Sequence, residues 1–430
     1  MLSVILKEKI RSGEYNAVFE NLYGKNTLET EKQQLRYIQA VEKFEEKYGT
    51  DRDITIYSAP GRTEICGNHT DHNNGLVVAA AISDDTICVA AKNDENTVNI
   101  ASEGYDGIPS VSLEKLRAAI SDEGTTKGLV KGVCALIIKN GGVCKGMDLY
   151  LTSLVPKGSG LSSSAAFENA VAAAVNGEYN DGRFSAVELA KISQQAENEY
   201  FAKPCGLMDQ AVSAIGGTVC LDFEDNANPV IKELPLDLEK FGLALCTVDS
   251  RASHDDLTEE YASITKEMKD ISQVFWKDSL RRLDLPTLVN HISFLREMTG
   301  DRAILRAMHF YTECRRTEDL CAAIEAGDKE LFLKKIVESG HSSYEYLQNA
   351  YVASDVRNQP MAVALSVAQS FLQDIGGAWR LQGGGFAGSI QCFVPVEKLE
   401  EFVKYMEIVL GEGCCKVIAL RSDGAVKVMG

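Results

Sequence analysis

The sequence predicts an α+β fold of two lobes, and three observations lead to this prediction. The chain has 430 residues, more than the ~250 to 300 residues at which a single hydrophobic core usually stops growing. Strand and helix patterns alternate up to about residue 222, whereas residues 253–349 are almost wholly helical and strand patterns return after residue 376. We therefore expect an N-terminal mixed α/β lobe at residues 1–222 and a C-terminal lobe, a sheet covered by helices, at residues 223–430.

The elements follow from the hydrophobic pattern in chain order. Residues 1 to about 49 predict two helices, because the apolar residues of TLETEKQQLRYIQAVEKFEEKYG recur at helical spacing. Residues 54–102 hold four short β-rich runs, ITIYSA, LVVAAAI, DTICVAAK and TVNIAS. A helix near Leu129, the strand MDLYLTSLV and a long Ala-rich helix from about Ser163 come next. The C-terminal lobe has strand patterns at GAWRLQGG, SIQCFVPV, KVIAL and AVKVMG.

Net charge limits the possible partners. The 44 Lys and Arg residues against 62 Asp and Glu residues give a formal net charge of −18, which repels nucleic acid and anionic membranes. An anionic ligand therefore needs a local site of backbone amides or a metal ion. The chain has no signal-peptide pattern and no run of about 18 apolar residues, and its 12 cysteines are scattered without a CxxC pair. We expect a cytoplasmic protein that binds neither nucleic acid nor membrane.

The stretch VPKGSGLSSSAAFENAVAAAV, residues 155–175, predicts an anion site. Its glycines let backbone amides approach a bound group, and the start of the following helix presents unsatisfied N–H groups and a partial positive charge. The stretch is not a Walker P-loop, because Leu161 follows Gly160 where that motif has Lys. A loop that only caps its helix is the alternative. One serine suffices for the cap, however, and a further serine hydroxyl is a suitable Mg²⁺ ligand beside phosphates.

A second dense motif is GRTEICGNHTDHNNG, residues 61–75. Its two histidines, His69 and His72, raise the question of a zinc site. Zinc needs at least one further ligand, and on a turn this spacing does not make the two rings converge. We therefore do not predict a metal centre from the two histidines.

Four motifs together resemble the galactokinases, a family of the GHMP small-molecule kinase group. They are APGRTEICGNHTDHNNG, VPKGSGLSSSAA, QAENEYFAKPCGLMDQ and LQGGGFAGS, and they span residues 59–389 in the family's order. The resemblance implies the two-lobed GHMP kinase fold, with an antiparallel sheet in the C-terminal lobe. It also implies a monomeric sugar 1-kinase that uses ATP and Mg²⁺ to phosphorylate the anomeric hydroxyl of galactose.

The resemblance further implies a role for individual residues. The catalytic residues would be Asp209, facing the anomeric hydroxyl, and Arg62 beside it. Mg²⁺ would bind to Ser164 and Glu197. The predicted ATP-binding residues are Pro156, Gly158, Ser159, Gly160, Leu161, Ser162, Ser163 and Ser164. The predicted sugar-binding residues are Glu64, Asn68, His69, Asp71, Gly206 and Tyr261.

The sugar motif departs from the family pattern, which is GRxNxxGEHTDY. Here the glutamate and asparagine have exchanged places as Glu64 and Asn68, and His72 replaces the tyrosine. The family's glutamate is expected to bind the 6-hydroxyl of the sugar, where Asn68 brings no negative charge. Asn68 would accept the carboxylate of galacturonate, but it can also serve the hydroxyl of galactose, and Glu64 can restore a carboxylate by a small backbone shift. We expect galactose, with galacturonate or N-acetylgalactosamine as alternatives.

A further difference from the family pattern lies in the second half of the chain. The family often has a basic residue before a histidine in the second half of the chain. Here Ser253 precedes His254, and Arg251 is a possible substitute.

Two other classes of protein fit the motifs less well. A non-catalytic sugar and ATP sensor would show damage in the phosphate loop, VPKGSGLSSSAA, or at Asp209, and neither is damaged. A GHMP kinase for mevalonate or homoserine would explain the phosphate loop but not GNHTDH or CGLMDQ.

Overall fold

Two β-sheets organise the computed structural model, which describes residues 1–156, 158–203, 205–252 and 257–430. The first sheet contains β1 (Thr55–Cys66), β2 (Leu76–Lys92), β3 (Thr97–Ser102), β4 (Val111–Ser112), β5 (Met147–Ser153), β6 (Thr218–Asp222), β7 (Val230–Leu234) and β12 (Val426–Met429). The second sheet contains β8 (Leu243–Ala252), β9 (Ala378–Leu381), β10 (Gly388–Pro395) and β11 (Cys415–Ile418).

The helices fall into three groups along the chain. The N-terminal group is α1 (Ser3–Arg11), α2 (Asn16–Tyr23) and α3 (Thr27–Tyr48). The second group is α4 (Thr126–Lys139), α5 (Ser163–Tyr179), α6 (Ala186–Glu199) and α7 (Met208–Ile215). The third group is α8 (Thr258–Val274), α9 (Leu285–Asn290), α10 (Ile292–Thr299), α11 (Asp301–Ala326), α12 (Lys329–Ser342), α13 (Pro360–Leu372) and α14 (Leu399–Leu410).

The first sheet has the order β12-β1-β2-β5-β3-β4, with β6 paired to β2 and β7 paired to β6. Only the β3–β5 pair among these strands is parallel. Because side chains alternate across a strand, Ile56 of β1 packs with α1–α3, whereas its neighbour Tyr57 packs with α4–α6. The sheet is therefore covered by helices on both faces.

The second sheet is antiparallel throughout, in the order β11-β8-β10-β9. Helices α13 and α14 pack on it through Met361, Phe402 and Met406. Helices α8–α12 share a core with the ends of β1 and β2, where Cys66 and Val78 lie. This arrangement confirms the predicted α+β fold with a helix-covered antiparallel sheet in the C-terminal half. It also brings helices α8–α12 against the ends of β1 and β2.

Two element predictions were wrong. The first 49 residues form three helices rather than two, because the chain turns at Gly13 and again at Gly24, both with positive φ. The runs LVVAAAI and DTICVAAK form one strand, β2, although Ser83 and Asp84 stand between them and Asp85 begins the second run. Asp85 does not require a turn, since its buried carboxylate accepts hydrogen bonds from Arg36 at 2.6 Å and Arg421 at 3.2 Å.

The first sheet also extends beyond the predicted lobe limit at residue 222. Strand β7 pairs with β6 as a hairpin, so a boundary after Asp222 falls inside the sheet. The last strand, β12, returns to pair with β1, where Met429 packs beside Ile56 in the core under α1–α3. The two sheets are thus not divided at residues 222 and 223.

All 12 cysteines lie in the described part of the chain, and each is a free thiol. Ten of them are buried, as expected where cysteine acts as a small core residue. Within the same described ranges, no helix combines the length and the apolar character that a membrane span needs.

Candidate active site

The phosphate loop connects β5 to α5 and has an unusual backbone. Gly158, Gly160 and Ser162 have φ values of 75°, 74° and 66°, a left-handed region that favours glycine. The N–H groups of Gly160, Leu161 and Ser162 donate to no described residue, whereas the carbonyls of Gly160 and Leu161 accept hydrogen bonds from Arg62. Together with the first N–H groups of α5, which have no partner within a helix, these free donors form a hollow suited to an anion.

Arg62 and Asp209 stand directly beside this loop. Arg62 Nε lies 2.8 Å from Asp209 Oδ1, and Arg62 Nη1 lies 2.5 Å from the Gly160 carbonyl oxygen. A β-bulge in β1 precedes Arg62, and a Cβ on Gly61 would lie 2.7 Å from the Leu161 carbonyl oxygen. Only glycine therefore lets the strand approach the loop closely enough for the Arg62 contacts.

The serines of the loop do not all behave as the sequence indicated. Ser162 occupies the N-cap position of α5, but its side chain makes no cap hydrogen bond. Its hydroxyl donates instead to Asp209 Oδ2. Asp209, at the start of α7, is thus held from two sides, with Arg62 on one carboxylate oxygen and Ser162 on the other.

Glu197 lies in a buried acidic group below the loop. Its Oε1 accepts a hydrogen bond from Lys203 at 2.9 Å, and its Oε2 accepts one from Gln210 at 2.7 Å. Gln210 also bridges to Glu168, whose other carboxylate oxygen is buried without a partner. Burial and the neighbouring Glu197 charge raise the pKa of Glu168 well above its usual range.

These residues fit a magnesium ion that is shared with phosphates. The described residues contain no group of three or more His, Cys, Asp or Glu side chains able to hold a metal by themselves. Mg²⁺, however, commonly binds through one or two protein oxygens, several waters and phosphate oxygens. The same kind of donor set is available here, from the Ser164 hydroxyl, the Glu197 carboxylate and the unpartnered oxygen of Glu168. In this structure Lys203 forms an ion pair with Glu197.

A cavity of about 620 Å³ opens next to Arg62. Its lining includes five of the six predicted sugar-binding residues, namely Glu64, Asn68, His69, Asp71 and Gly206. A Cβ at Gly206 would lie 2.6 Å from Asp71 Oδ2, so a larger residue here would displace the Asp71 carboxylate. The lining also includes His72, Gln194 and Asn226, which were not predicted.

Burial and neighbouring charges shift the pKa of two side chains of the cavity, Asp71 and His69. Burial would raise the pKa of Asp71, but the adjacent His72 and His69 hold it below its usual value, so Asp71 is an acceptor. Burial lowers the pKa of His69 to about 4. The neutral ring then donates from Nε2 to the Gly384 carbonyl at 2.8 Å.

Glu64 and Asn68, the exchanged pair, belong to a buried network. Asn68 Nδ2 lies 2.9 Å from Glu64 Oε1 and 2.7 Å from the Gly383 carbonyl oxygen. The same Glu64 oxygen accepts from the fully buried Arg380 at 2.9 Å. Asn349 donates to Asn68 Oδ1 at 2.8 Å. Burial raises the pKa of Glu64 even though Arg380 opposes the rise.

Helix α11 holds the turn that carries Asn68. The buried His309 donates from Nε2 to the Asn68 carbonyl at 2.9 Å. Glu313 accepts from the Gly67 N–H at 3.0 Å. Burial opposes ionisation of Glu313, but the charges of His309 and Arg316 keep its pKa low, at about 2.

Tyr261 is not part of the cavity lining. Its hydroxyl donates to the Gly385 carbonyl at 2.8 Å, and its ring lies 2.8 Å from the Cβ position of Gly384. The structure thus places Tyr261 behind the glycine-rich turn, and its predicted sugar contact stays a prediction. Arg251 binds the carbonyls of Leu410 and Glu412, while Ser253 and His254 lie outside the described residues.

A second cavity, of about 530 Å³, lies on the other side of the phosphate loop. It shares Ser163 and Ser164 with the loop, and Tyr105, Phe167 and Phe201 supply aromatic walls. No sequence motif predicted this cavity, because most of its lining comes from separate parts of the chain. Val155, Ser163, Ser164 and Phe167 are the lining residues that belong to the stretch 155–175.

Two family models match two separate parts of the chain. Residues 42–92 match the galactokinase galactose-binding signature, and residues 128–217 match the N-terminal domain of GHMP kinases. The galactokinase of Streptomyces coelicolor is 31% identical over 369 residues, which are 85% of this chain and 91% of that enzyme.

Two solved structures show the relation at the level of the fold. The Lactococcus lactis galactokinase complexed with galactose superimposes with a TM-score of 0.77 at 23% identity, covering 90% of this chain and 98% of that one. The Methanococcus jannaschii mevalonate kinase gives a TM-score of 0.62 at 14% identity, covering 86% and 98%. The chain is therefore similar to both over nearly their whole lengths.

Proposed function

The chain belongs to the galactokinase family, and from this premise we propose that it transfers the γ-phosphoryl group of ATP to the anomeric hydroxyl of galactose. The product is galactose 1-phosphate. The observation that supports this proposal most strongly is the position of Asp209 and Arg62. They stand between an amide-lined hollow and a polar cavity lined by Asp71, so that two ligands can meet at one carboxylate.

The phosphate loop is proposed to bind the triphosphate. The N–H groups of Gly160, Leu161 and Ser162 donate to none of the described residues, and the first turn of α5 carries no basic side chain. These N–H groups therefore offer donors to phosphate oxygens. Pro156, Gly158 and Ser159 shape the entry to this hollow. The second cavity, which shares Ser163 and Ser164 with the loop, is proposed to hold the nucleoside part of ATP.

Ser164 and Glu197 would hold Mg²⁺ close to the phosphates. Bound there, the ion would neutralise the charge of the phosphate oxygens. Lys203, which lies 2.9 Å from Glu197 Oε1 and is 60% exposed, is free to turn outward and release that oxygen. Glu168 supports Glu197 through Gln210.

The chain's own residues position the acceptor and its proton. Asp209 is proposed to accept a hydrogen bond from the anomeric hydroxyl as that hydroxyl displaces Ser162 from Oδ2. Arg62 orients Asp209, and it stabilises negative charge that develops between sugar oxygen and phosphorus. Asp71, His69 and Gly206 are proposed to set the orientation of the ring, with Glu64 and Asn68 at its far side.

Neither rival activity gains support from a particular observation. A non-catalytic sensor would not need the Arg62–Asp209 pair at 2.7 Å beside the phosphate hollow. Mevalonate would leave the polar side chains of the cavity, such as Asp71 and His69, without hydrogen-bond partners on the substrate.

Free cysteines support a reducing compartment, and we propose a cytoplasmic enzyme. The monomeric state stays a prediction.

ATP consumption with a panel of sugars tests the proposal. The panel is galactose, galacturonate, N-acetylgalactosamine, glucose and fucose, each measured with and without Mg²⁺ by a coupled ADP assay. We expect the highest kcat/KM with galactose and loss of turnover without Mg²⁺. Absence of ATP turnover with all five sugars would contradict the proposal.

A further inference from the structure

The amide of Asn68 has no hydrogen left for a ligand. An asparagine side chain offers two N–H donors. In this protein one of them goes to Glu64 Oε1 at 2.9 Å and the other to the Gly383 carbonyl oxygen at 2.7 Å. Asn349 additionally occupies Asn68 Oδ1 at 2.8 Å. Asn68 is therefore fixed by the protein, and it cannot donate to a sugar carboxylate without breaking a buried hydrogen bond.

Glu64 has the opposite character. Its Oε1 is bound by Arg380 and Asn68, whereas its Oε2 accepts no hydrogen bond from a described residue. Glu64 also lines the 620 Å³ cavity. The cavity therefore meets a carboxylate whose second oxygen is available, and Arg380 behind it supplies the counter-charge.

The position of Glu64 along β1 fixes which part of the sugar it faces. Arg62 and Glu64 are two residues apart in a regular stretch, paired with Ala81 and Ala79. Their side chains therefore lie on the same face, about 6.6 Å apart along the strand. If Arg62 stands at the reacting hydroxyl, Glu64 lies about one pyranose ring away, at the hydroxyls opposite the anomeric carbon.

We propose that Glu64, and not Asn68, is the specificity-determining acceptor for a sugar hydroxyl remote from the anomeric carbon, and that its charge excludes sugar acids. Asn349 and Asn68 act as positioning residues that hold the carboxylate against Arg380. The exchange of Glu and Asn in the motif therefore keeps a carboxylate in the pocket. That carboxylate comes from position 64 in this chain instead of position 68. This inference rests on the proposed function and names the substrate class more narrowly, as neutral hexoses.

The variant Glu64→Gln tests the inference, because it keeps the shape and removes the charge. For the wild-type protein we expect kcat/KM with galacturonate to be at least ~100-fold lower than with galactose, since like charges repel in a buried pocket. In E64Q we expect kcat/KM for galactose to fall about 10- to 100-fold, mainly through KM. The ratio of kcat/KM for galacturonate to kcat/KM for galactose should rise at least ~10-fold. The reason is that Arg380 is left with an unpaired charge. Glu400→Gln, the same change at an exposed position of α14, should leave both values unchanged.

Each other outcome overturns the inference in a recognisable way. A wild-type enzyme that prefers galacturonate, or an E64Q variant with an unchanged ratio, shows that Glu64 does not select the substrate although the kinase activity stands. If E64Q does not fold, the wild-type preference for galactose over galacturonate still decides. If no sugar of the panel is phosphorylated, the proposed function fails and the inference fails with it.

Discussion

The two ends of the candidate site are built in different ways. The phosphoryl-transfer end consists of backbone N–H groups and the Arg62–Asp209 pair, and its parts come from β1, the phosphate loop and α7. The sugar end is a buried network of side chains, in which Asn68 meets Asn349 across 281 positions and Glu64 meets Arg380 across 316 positions. The first end depends on local backbone geometry, whereas the second depends on contacts between the two halves of the chain. Substitutions at the two ends should therefore separate into effects on kcat and effects on KM.

The largest effect is expected at the transfer end, from Asp209→Asn. The amide can neither take a proton nor pair with Arg62, so kcat should fall at least ~10³-fold. ATP affinity, measured by calorimetry, should stay within about threefold, because Asp209 does not contribute to the amide hollow. Asp374→Asn, at an exposed position, is the matched control. A kcat within tenfold of wild type would remove Asp209 from its proposed role.

Gly206→Ala should act at the sugar end alone. Its Cβ would lie 2.6 Å from Asp71 Oδ2, so the carboxylate must move. We expect KM for galactose to rise about 10-fold, the equivalent of ~1.4 kcal/mol, with a much smaller change in kcat and none in KM for ATP. Steady-state kinetics with each substrate varied in turn measures this. An equal loss in kcat and no change in KM would mean that the two ends are not separate.

Asn349→Ala tests the long-range part of the network. It removes the donor to Asn68 Oδ1 and leaves that buried oxygen without a partner, which should lower the free energy of unfolding by about 1 to 3 kcal/mol. KM for galactose should rise about three- to tenfold, while kcat stays close to wild type. Urea denaturation and kinetics measure the two effects, and the exposed Asn290→Ala is the control. Unchanged stability and KM would show that Asn349 does not position Asn68.

The smallest effect concerns pH and again belongs to the sugar end, which holds the buried His69 and His309. Burial lowers the pKa of both rings, that of His69 to about 4, so the unfolded chain binds protons more readily than the folded one below pH ~6.5. The contribution of the two histidines to stability is therefore fully present above that pH and is lost as the pH decreases toward 4. From pH 7 to pH 5.5 we expect a loss of about 1 kcal/mol from His69, with a further loss from His309.

Urea denaturation at pH 7 and pH 5.5 checks this dependence. His69→Asn should reduce the loss, whereas His291→Gln, at an exposed position, should not change it. The raised pKa of Glu168 acts in the opposite direction over the same interval, so the comparison of wild type with His69→Asn decides: a pH dependence that is identical in the two proteins would contradict the assigned direction.

The glycines of the phosphate loop and the start of α5 are local features, so a short motif could indicate them. The bulge next to Arg62 was not predicted. The partner of Glu64 is not local, and nothing near Arg380 or Asn349 in the sequence indicates that they meet Glu64 and Asn68. The same reason explains β12, whose short apolar strand could be recognised but whose partner β1 stands at the other end of the chain.

Buried charge explains the other differences. The two aspartates in β2 lie where the sequence predicted a break between two strands, because an unpaired carboxylate is unfavourable inside a sheet. Asp85 is nevertheless paired with Arg36 of α3 and with Arg421, residues that no local pattern connects to it. Similarly, Ser162 was expected to bind a ligand or cap α5, but its hydroxyl goes to Asp209.

The central claim is that an amide-lined hollow holds a triphosphate so that its terminal phosphate faces a sugar beside Asp209. A crystal structure with galactose, Mg²⁺ and a non-hydrolysable ATP analogue tests it most directly. We predict the terminal phosphate within hydrogen-bond distance of the N–H groups of residues 160–164, and the anomeric oxygen next to Asp209. A triphosphate bound elsewhere, with Asp209 still closed onto Ser162 and the sugar remote from it, would contradict the account.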